Sequence, residues 1–267
     1  MEPQKKNFKI VTEKKVRMIL PNALTLINVC IGLSSIKFAL DAKFELSIIA
    51  IIFAAIFDAL DGRVARLLTG TSLVGKELDS LADVISFGVA PAFIMYFWSL
   101  DILGKFGWLL CMIYVVCVAL RLARFNVRSG GEPSWKDNFF EGIPSPAGGM
   151  LILMPLIFSL SGIDTIKVNY NLIVPIFFIT ISMLLISKVP TFSFKRISIP
   201  RRMTIFVIFG MVVFFGFLIF YTFKALVVGG LIYIILIPLA YLSYRKSSKV
   251  QIKNSTENDN EDFEDIL

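Results

Sequence analysis

Apolar residues fill this chain in eight runs, with approximate limits 18–40, 45–68, 77–100, 106–127, 144–163, 170–189, 203–223 and 225–244. Only short polar connections separate them. A helix of about 20 apolar residues crosses a hydrocarbon core about 30 Å thick. The pattern therefore predicts an all-α polytopic membrane protein with about eight transmembrane helices. The runs are not equivalent. Runs two to four hold Asp58, Asp61, Arg66, Asp79, Asp83, Arg121 and Arg124, whereas the last two hold no charge beyond Lys224 between them. Polar groups in a membrane helix turn toward the bundle interior, so the first half should carry the chemistry. The last two helices (203–244) should be lipid-facing additions or an oligomer contact.

Composition agrees: 56% of the 267 residues are hydrophobic, 25 are Phe, and only 18% are charged. No histidine is present, which excludes a histidine base and any histidine-containing zinc site. Cys30, Cys111 and Cys117 lie inside apolar runs without a Cys-x-x-Cys pair and read as small core residues. The net charge is +7, distributed unevenly. With the N-terminus placed inside and the runs alternating, 22 of the 27 Lys and Arg fall on one side, leaving Lys37, Lys43, Lys105, Lys167 and Lys224 on the other. The positive-inside rule then predicts both termini cytoplasmic. The basic arm 1–17 shows no signal-peptide cleavage pattern. It reads equally as an amphipathic surface helix on anionic lipid or as a plain basic flank. The tail 247–267 is acidic and polar and reads as disordered.

Against this background four aspartates stand out: Asp58-x-x-Asp61-Gly62-x-x-Ala65-Arg66, then eight residues, then Gly75-x-x-x-Asp79-x-x-x-Asp83. An acidic residue at the centre of a membrane helix costs roughly 2.5–3.5 kcal/mol on insertion scales. Twelve uncharged residues, Leu46–Phe57, rise about 18 Å, which sets Asp58 roughly 10 Å below the cytoplasmic edge of the core. Asp79 and Asp83 descend to a similar level from the next connection. Spacings of i, i+3 and i, i+4 put each pair on one helix face, and the two faces should meet across a tight hairpin. Carboxylate ligands without His or Cys favour Mg²⁺ or Mn²⁺. Four negative charges suit two such ions, an arrangement that clamps a phosphoryl group and its leaving oxygen. Gly62 and Ala65 leave room for a ligand, Gly75 lets the next helix begin close by, Arg66 offers a fork for phosphate oxygens, and Ser72 can donate a hydrogen bond.

This string resembles the signature of the CDP-alcohol phosphotransferase family at every position and spacing. The resemblance implies a six-helix membrane core over 18–190, frequently a homodimer, that moves a phosphatidyl-type group from a CDP-linked lipid to an alcohol and releases CMP. It further implies that Asp58, Asp61 and Asp79 are metal ligands and that Asp83 both contacts metal and acts as general base. Gly62, Arg66 and Ser72 would touch the CDP moiety, joined by Asn22 and Thr25 of the segment Pro21–Thr25. The stretches PNALTLINVCIG, DSLADVISFGVAPAF, RLARFNV and GIPSPAGG are similar to the phosphatidylserine synthase branch, which implies CDP-diacylglycerol as donor and L-serine as acceptor in a cell membrane, with the site facing the cytoplasm. Arg121, Arg124, Asn126 and Ser145 are candidates for acceptor or phosphate binding. Each also has a structural alternative: a positive-inside anchor for the arginines, a helix C-cap for Asn126 and an N-cap for Ser145.

Two rival readings differ testably. A sibling enzyme would use glycerol 3-phosphate, inositol or an archaeal lipid. A cation transporter would place its acids near the midplane on broken helices from repeated halves. Here the acids sit in one hairpin toward one face, and no second copy is visible.

Overall fold

The structure, a computed structural model, describes residues 13–67, 73–128, 139–162, 169–187, 189–192, 209–210, 213 and 216–264. The chain divides into two compact units, Met1–Leu122 and Ala123–Leu267.

The first unit is built on a stripe of small and polar residues in an otherwise apolar helix. Helix α1 (Glu13–Leu40) buries Thr25, Asn28, Gly32, Ser35 and Ala39, spaced alternately by three and four. Helix α2 (Phe44–Leu67) answers with buried Ser47, Ile51, Ala54, Asp61 and Ala65 at the same period. Small residues let membrane helices approach closely where hydrophobicity supplies no driving force. The two helices pack along their length as an antiparallel hairpin, and the Ser47 hydroxyl donates to the Ser35 carbonyl at 3.0 Å. The turn between them is tight: Lys43 N–H bonds to Phe38 O (2.8 Å) and Ala42 N–H to Ala39 O (3.0 Å), with Ala42 left-handed at φ 58°. This is a Schellman cap, closed without the usual glycine. Lys37 pairs with Asp41 beside it. Cys30 does not join the core. It falls on the outward face with Leu26, Ile27 and Leu33, while Cys111 and Cys117 are buried as expected.

Helix α3 (Leu73–Asp83) continues into a π-helical turn, Val84–Val89, and then α4 (Ala90–Trp98). One cause of the interruption is local. Pro91 removes the N–H that an α-helix would point at the Phe87 carbonyl. The Tyr114 hydroxyl, from α5 (Lys105–Arg128), donates to that carbonyl at 2.8 Å. Tyr114 is fully buried. Tyr114→Phe is expected to cost about 1–3 kcal/mol of stability, read as a lower midpoint in thermal unfolding in detergent; an unchanged midpoint would show that the turn does not need this brace. Gly32 packs on the same π turn: a Cβ there would lie 2.5 Å from Ser86 Oγ. At the other end Phe93, Tyr96, Phe97 and Trp108 form an aromatic cluster with ring centroids 5.5–5.9 Å apart.

In the second unit, strands β1 (Phe139–Glu141) and β2 (Pro190–Phe192) pair antiparallel with Phe139 opposite Phe192. Gly142 follows β1 at φ 73°, where a Cβ would meet the Leu185 carbonyl at 2.8 Å; only glycine fits there. The fifth apolar run is not one helix. It forms α6 (Ser145–Ile152) and α7 (Met154–Leu160), because Pro155 cannot continue the ladder from α6. Helix α8 (Tyr170–Ile186) ends near β2. Helix α9 (Thr222–Glu264) runs from the last apolar stretch on through 245–264. The disordered tail expected over 247–267 is therefore helical as far as Glu264. A helix already nucleated extends at one hydrogen bond per added residue.

Among the described residues four helical stretches are long and apolar enough to cross a membrane: Leu20–Leu40, Val74–Trp98, Lys105–Val127 and Thr222–Tyr244. Helix α2 has 24 residues, but its acids and arginines interrupt its apolar run. Most of the expected span 203–223, the arm 1–12 and Ser72 lie outside the described residues.

Candidate active site

The acidic positions continue the stripe by which α2 packs on α1. Asp58 and Asp61 follow Ala54 at the same three-and-four spacing, so they turn inward by periodicity alone. Asp61 is only 3% exposed; Asp58, Asp79 and Asp83 are half-buried. One carboxylate oxygen from each of Asp58, Asp61 and Asp79 lies within 4.8 Å of the other two. The carboxyl groups of Asp58 and Asp83 meet within hydrogen-bonding distance. The hairpin of α2 and α3 thus draws both aspartate pairs into one cluster.

The Thr25 hydroxyl lies between the Pro21 carbonyl, at 3.1 Å, and the Asp61 carboxylate. The Gly62 N–H also reaches Asp61. Asp61 Oδ2 is buried and finds no partner among the described residues. A buried carboxylate oxygen left without a donor is costly, and a cation among three converging carboxylates removes that cost. The donor set is all oxygen, as hard divalent ions require. The residues present therefore fit a divalent metal, which Asp58, Asp61 and Asp79 could hold with Asp83 adjoining.

Beside the acids the surface is open. A Cβ added at Gly62 would meet nothing within 4 Å. Ala65 is buried, Gly75 lies half-buried in the first turn of α3, and Asn22 is half-buried one turn before Thr25. Arg66 is exposed, its Nε donating to the Gly62 carbonyl at 2.9 Å. Gly62→Ala is expected to fold as well as the unsubstituted chain or better, since alanine gains about 1 kcal/mol of helix propensity. Any ligand seated against Gly62 would bind about tenfold more weakly or worse, because overpacking costs about 1–3 kcal/mol. Titration with a CDP-lipid checks this, and equal affinity would remove Gly62 from the site.

Arg121 is buried on α5 in the first unit, one turn beyond Val118, which packs on Gly88. Arg124, Asn126 and Ser145 belong to the second unit. The Arg124 guanidinium donates to the Ile186 carbonyl at 3.0 Å, so it caps the C-terminus of α8, a favourable place for a cation. Ser145 is buried as the first residue of α6, with Pro144 rather than Ser145 at the N-cap. Sequence reasoning passed over Asn28, which is wholly buried three residues beyond Thr25. A polar residue on the small-residue stripe was the available signal.

The model of the CDP-alcohol phosphatidyltransferase family matches residues 18–186, and this chain belongs to that family of membrane enzymes. It is 40% identical over 191 residues to the CDP-diacylglycerol–serine O-phosphatidyltransferase of Mycobacterium leprae, covering 68% of this chain and 61% of that protein. The enzyme of the same name from Helicobacter pylori is 33% identical over 190 residues, covering 71% and 78%. The archaetidylserine synthase of Methanothermobacter thermautotrophicus is 38% identical over 148 residues, covering 54% and 60%. The chain thus spans about six tenths of the length of its mycobacterial relatives.

Proposed function

We propose that this chain transfers the phosphatidyl group of CDP-diacylglycerol to the hydroxyl of L-serine, giving phosphatidylserine and CMP. The observation that carries the reading is the convergence of Asp58, Asp61 and Asp79 within 4.8 Å, with Asp83 against Asp58, in a family of phosphatidyltransferases. The serine acceptor is supported by relatives named for that reaction.

Asp58, Asp61, Asp79 and Asp83 would hold Mg²⁺ or Mn²⁺, as two ions, whose charge would offset that on the diphosphate and on the departing CMP. Asn22, Thr25, Gly62, Ala65, Arg66, Ser72 and Gly75 line the CDP-lipid side; the space beside Gly62 admits the nucleotide close to the helix backbone. Asp83 accepts the proton of the serine hydroxyl. The serine oxygen then bonds to the lipid-linked phosphorus, and the bond from that phosphorus to the CMP oxygen breaks, its electron pair leaving with CMP. Arg121, Arg124, Asn126 and Ser145 are the candidates for binding the acceptor carboxylate or the lipid phosphate. The chain works as a homodimer in the cell membrane, with eight spans, both termini cytoplasmic and the acids facing the cytoplasm. That orientation is supported by the one-sided distribution of Lys and Arg.

Purified protein with CDP-diacylglycerol, Mg²⁺ or Mn²⁺ and labelled serine should yield labelled phosphatidylserine and equimolar CMP. Glycerol 3-phosphate and inositol should yield neither. Transfer to one of those alcohols but not to serine would overturn the acceptor.

A further inference from the structure

We propose that the Asn28 carboxamide binds the polar end of the acceptor alcohol and holds its hydroxyl toward Asp83. This deepens the transferase reading above and rests on it. Asn28 is wholly buried, yet neither the oxygen nor the nitrogen of its amide finds a partner among the described residues. A membrane helix interior has no reason to keep such a group for packing, since leucine fills the same volume without an orphaned donor or acceptor.

Its place in the fold names the ligand. Asn28 lies one helical turn beyond Thr25, which adjoins Asp61, and it sits on the side away from the Gly62–Arg66 end where the nucleotide enters. The Ser86 hydroxyl donates to the Asn28 backbone carbonyl at 3.2 Å, which fixes this turn of α1 against the π segment. Ser86 and Phe87 lie in the π turn that begins directly after Asp83. Ser86 touches α1, and Phe87 touches α5 through Tyr114. The segment that begins at Asp83 is thus held against α1 beside Asn28 and against α5, the helix that carries buried Arg121.

A primary amide offers two N–H donors and an acceptor without net charge. That suits a small zwitterion, an amino acid with its ammonium and carboxylate, better than a phosphate, which calls for cations. With Arg121 on the opposite helix for the carboxylate, Asn28 accepts from the ammonium or steadies the hydroxyl. Asn28 is then a binding residue for the acceptor, with no part in proton transfer.

The test compares the full-length protein with Asn28→Leu and Asn28→Ala in detergent, measuring melting temperature, CDP-diacylglycerol affinity, and KM and kcat for serine. Asn28→Leu should melt higher, bind CDP-diacylglycerol unchanged, and show a serine KM raised about tenfold or more, because a site built around polar partners discriminates strongly when they are lost. At saturating serine, kcat should change less than KM. An unchanged serine KM in a variant that still binds CDP-diacylglycerol would overturn the proposal. So would a parallel loss of CDP-diacylglycerol affinity, which would place Asn28 on the nucleotide side. Should Asn28→Leu not fold, Asn28→Ala decides by the same KM. If the unsubstituted protein releases CMP with another alcohol and not with serine, the serine reading fails separately, and Asn28 is judged on the KM for that alcohol. Release with no alcohol at all ends both.

Discussion

Asp83→Asn is expected to lower turnover by about 10²–10⁴-fold, the usual contribution of a positioned general base, while leaving CDP-diacylglycerol binding largely intact. The separation follows from geometry. Asp58, Asp61 and Asp79 converge without Asp83, so the carboxylates best placed to hold a cation survive the substitution. Asp83 touches the cluster through Asp58 and ends α3 where the π turn begins. Asparagine keeps the shape and one carbonyl oxygen but cannot accept the hydroxyl proton. Single-turnover CMP release, set beside equilibrium binding of the CDP-lipid, reads the two effects apart. Loss of both together would make Asp83 a metal ligand before anything else. Near-normal CMP release would leave the reaction without its base.

The acids were legible because their chemistry conflicts with their surroundings. A carboxylate in an apolar run needs a reason, and spacings of three and four fix its face. The stripe Thr25–Asn28–Gly32–Ser35–Ala39 has the same period and was equally readable, but each of its residues alone looks like ordinary tolerance in a membrane helix. Only as a set, matched by Ser47, Ala54 and Ala65 on α2, does it predict close packing. Other features could not be read locally. Nothing in Val84–Val89 distinguishes a π turn from an α turn. Pro91 hints at it, but the compensating hydroxyl of Tyr114 comes from 27 residues away. Arg124 caps α8 across a separation of 62 residues, which no local pattern reveals. The two-helix break at Leu153 was announced by Pro155, yet uniform hydropathy across 144–163 concealed it.

Removing divalent ions should destabilise the folded protein as well as stop the reaction. Four carboxyl groups share one partly buried site, and Asp61 Oδ2 has no donor among the described residues. An ion that binds only the folded chain stabilises it by about 2.7 kcal/mol at a hundred times its Kd, which for a protein of this size corresponds to roughly 5–10 °C in melting temperature. Mg²⁺ or Mn²⁺ added after stringent chelation should produce that rise and restore CMP release together. Asp61→Asn separates the two roles. It removes one of the converging charges, so in chelator it should melt higher than the unsubstituted chain, while gaining little from added metal and losing activity in its presence. The carboxylate would then be a liability to the fold, retained for the ion it holds. Equal melting temperatures with and without metal in the unsubstituted chain, or full activity in stringent chelator, would mean that the four aspartates do something other than cage a cation.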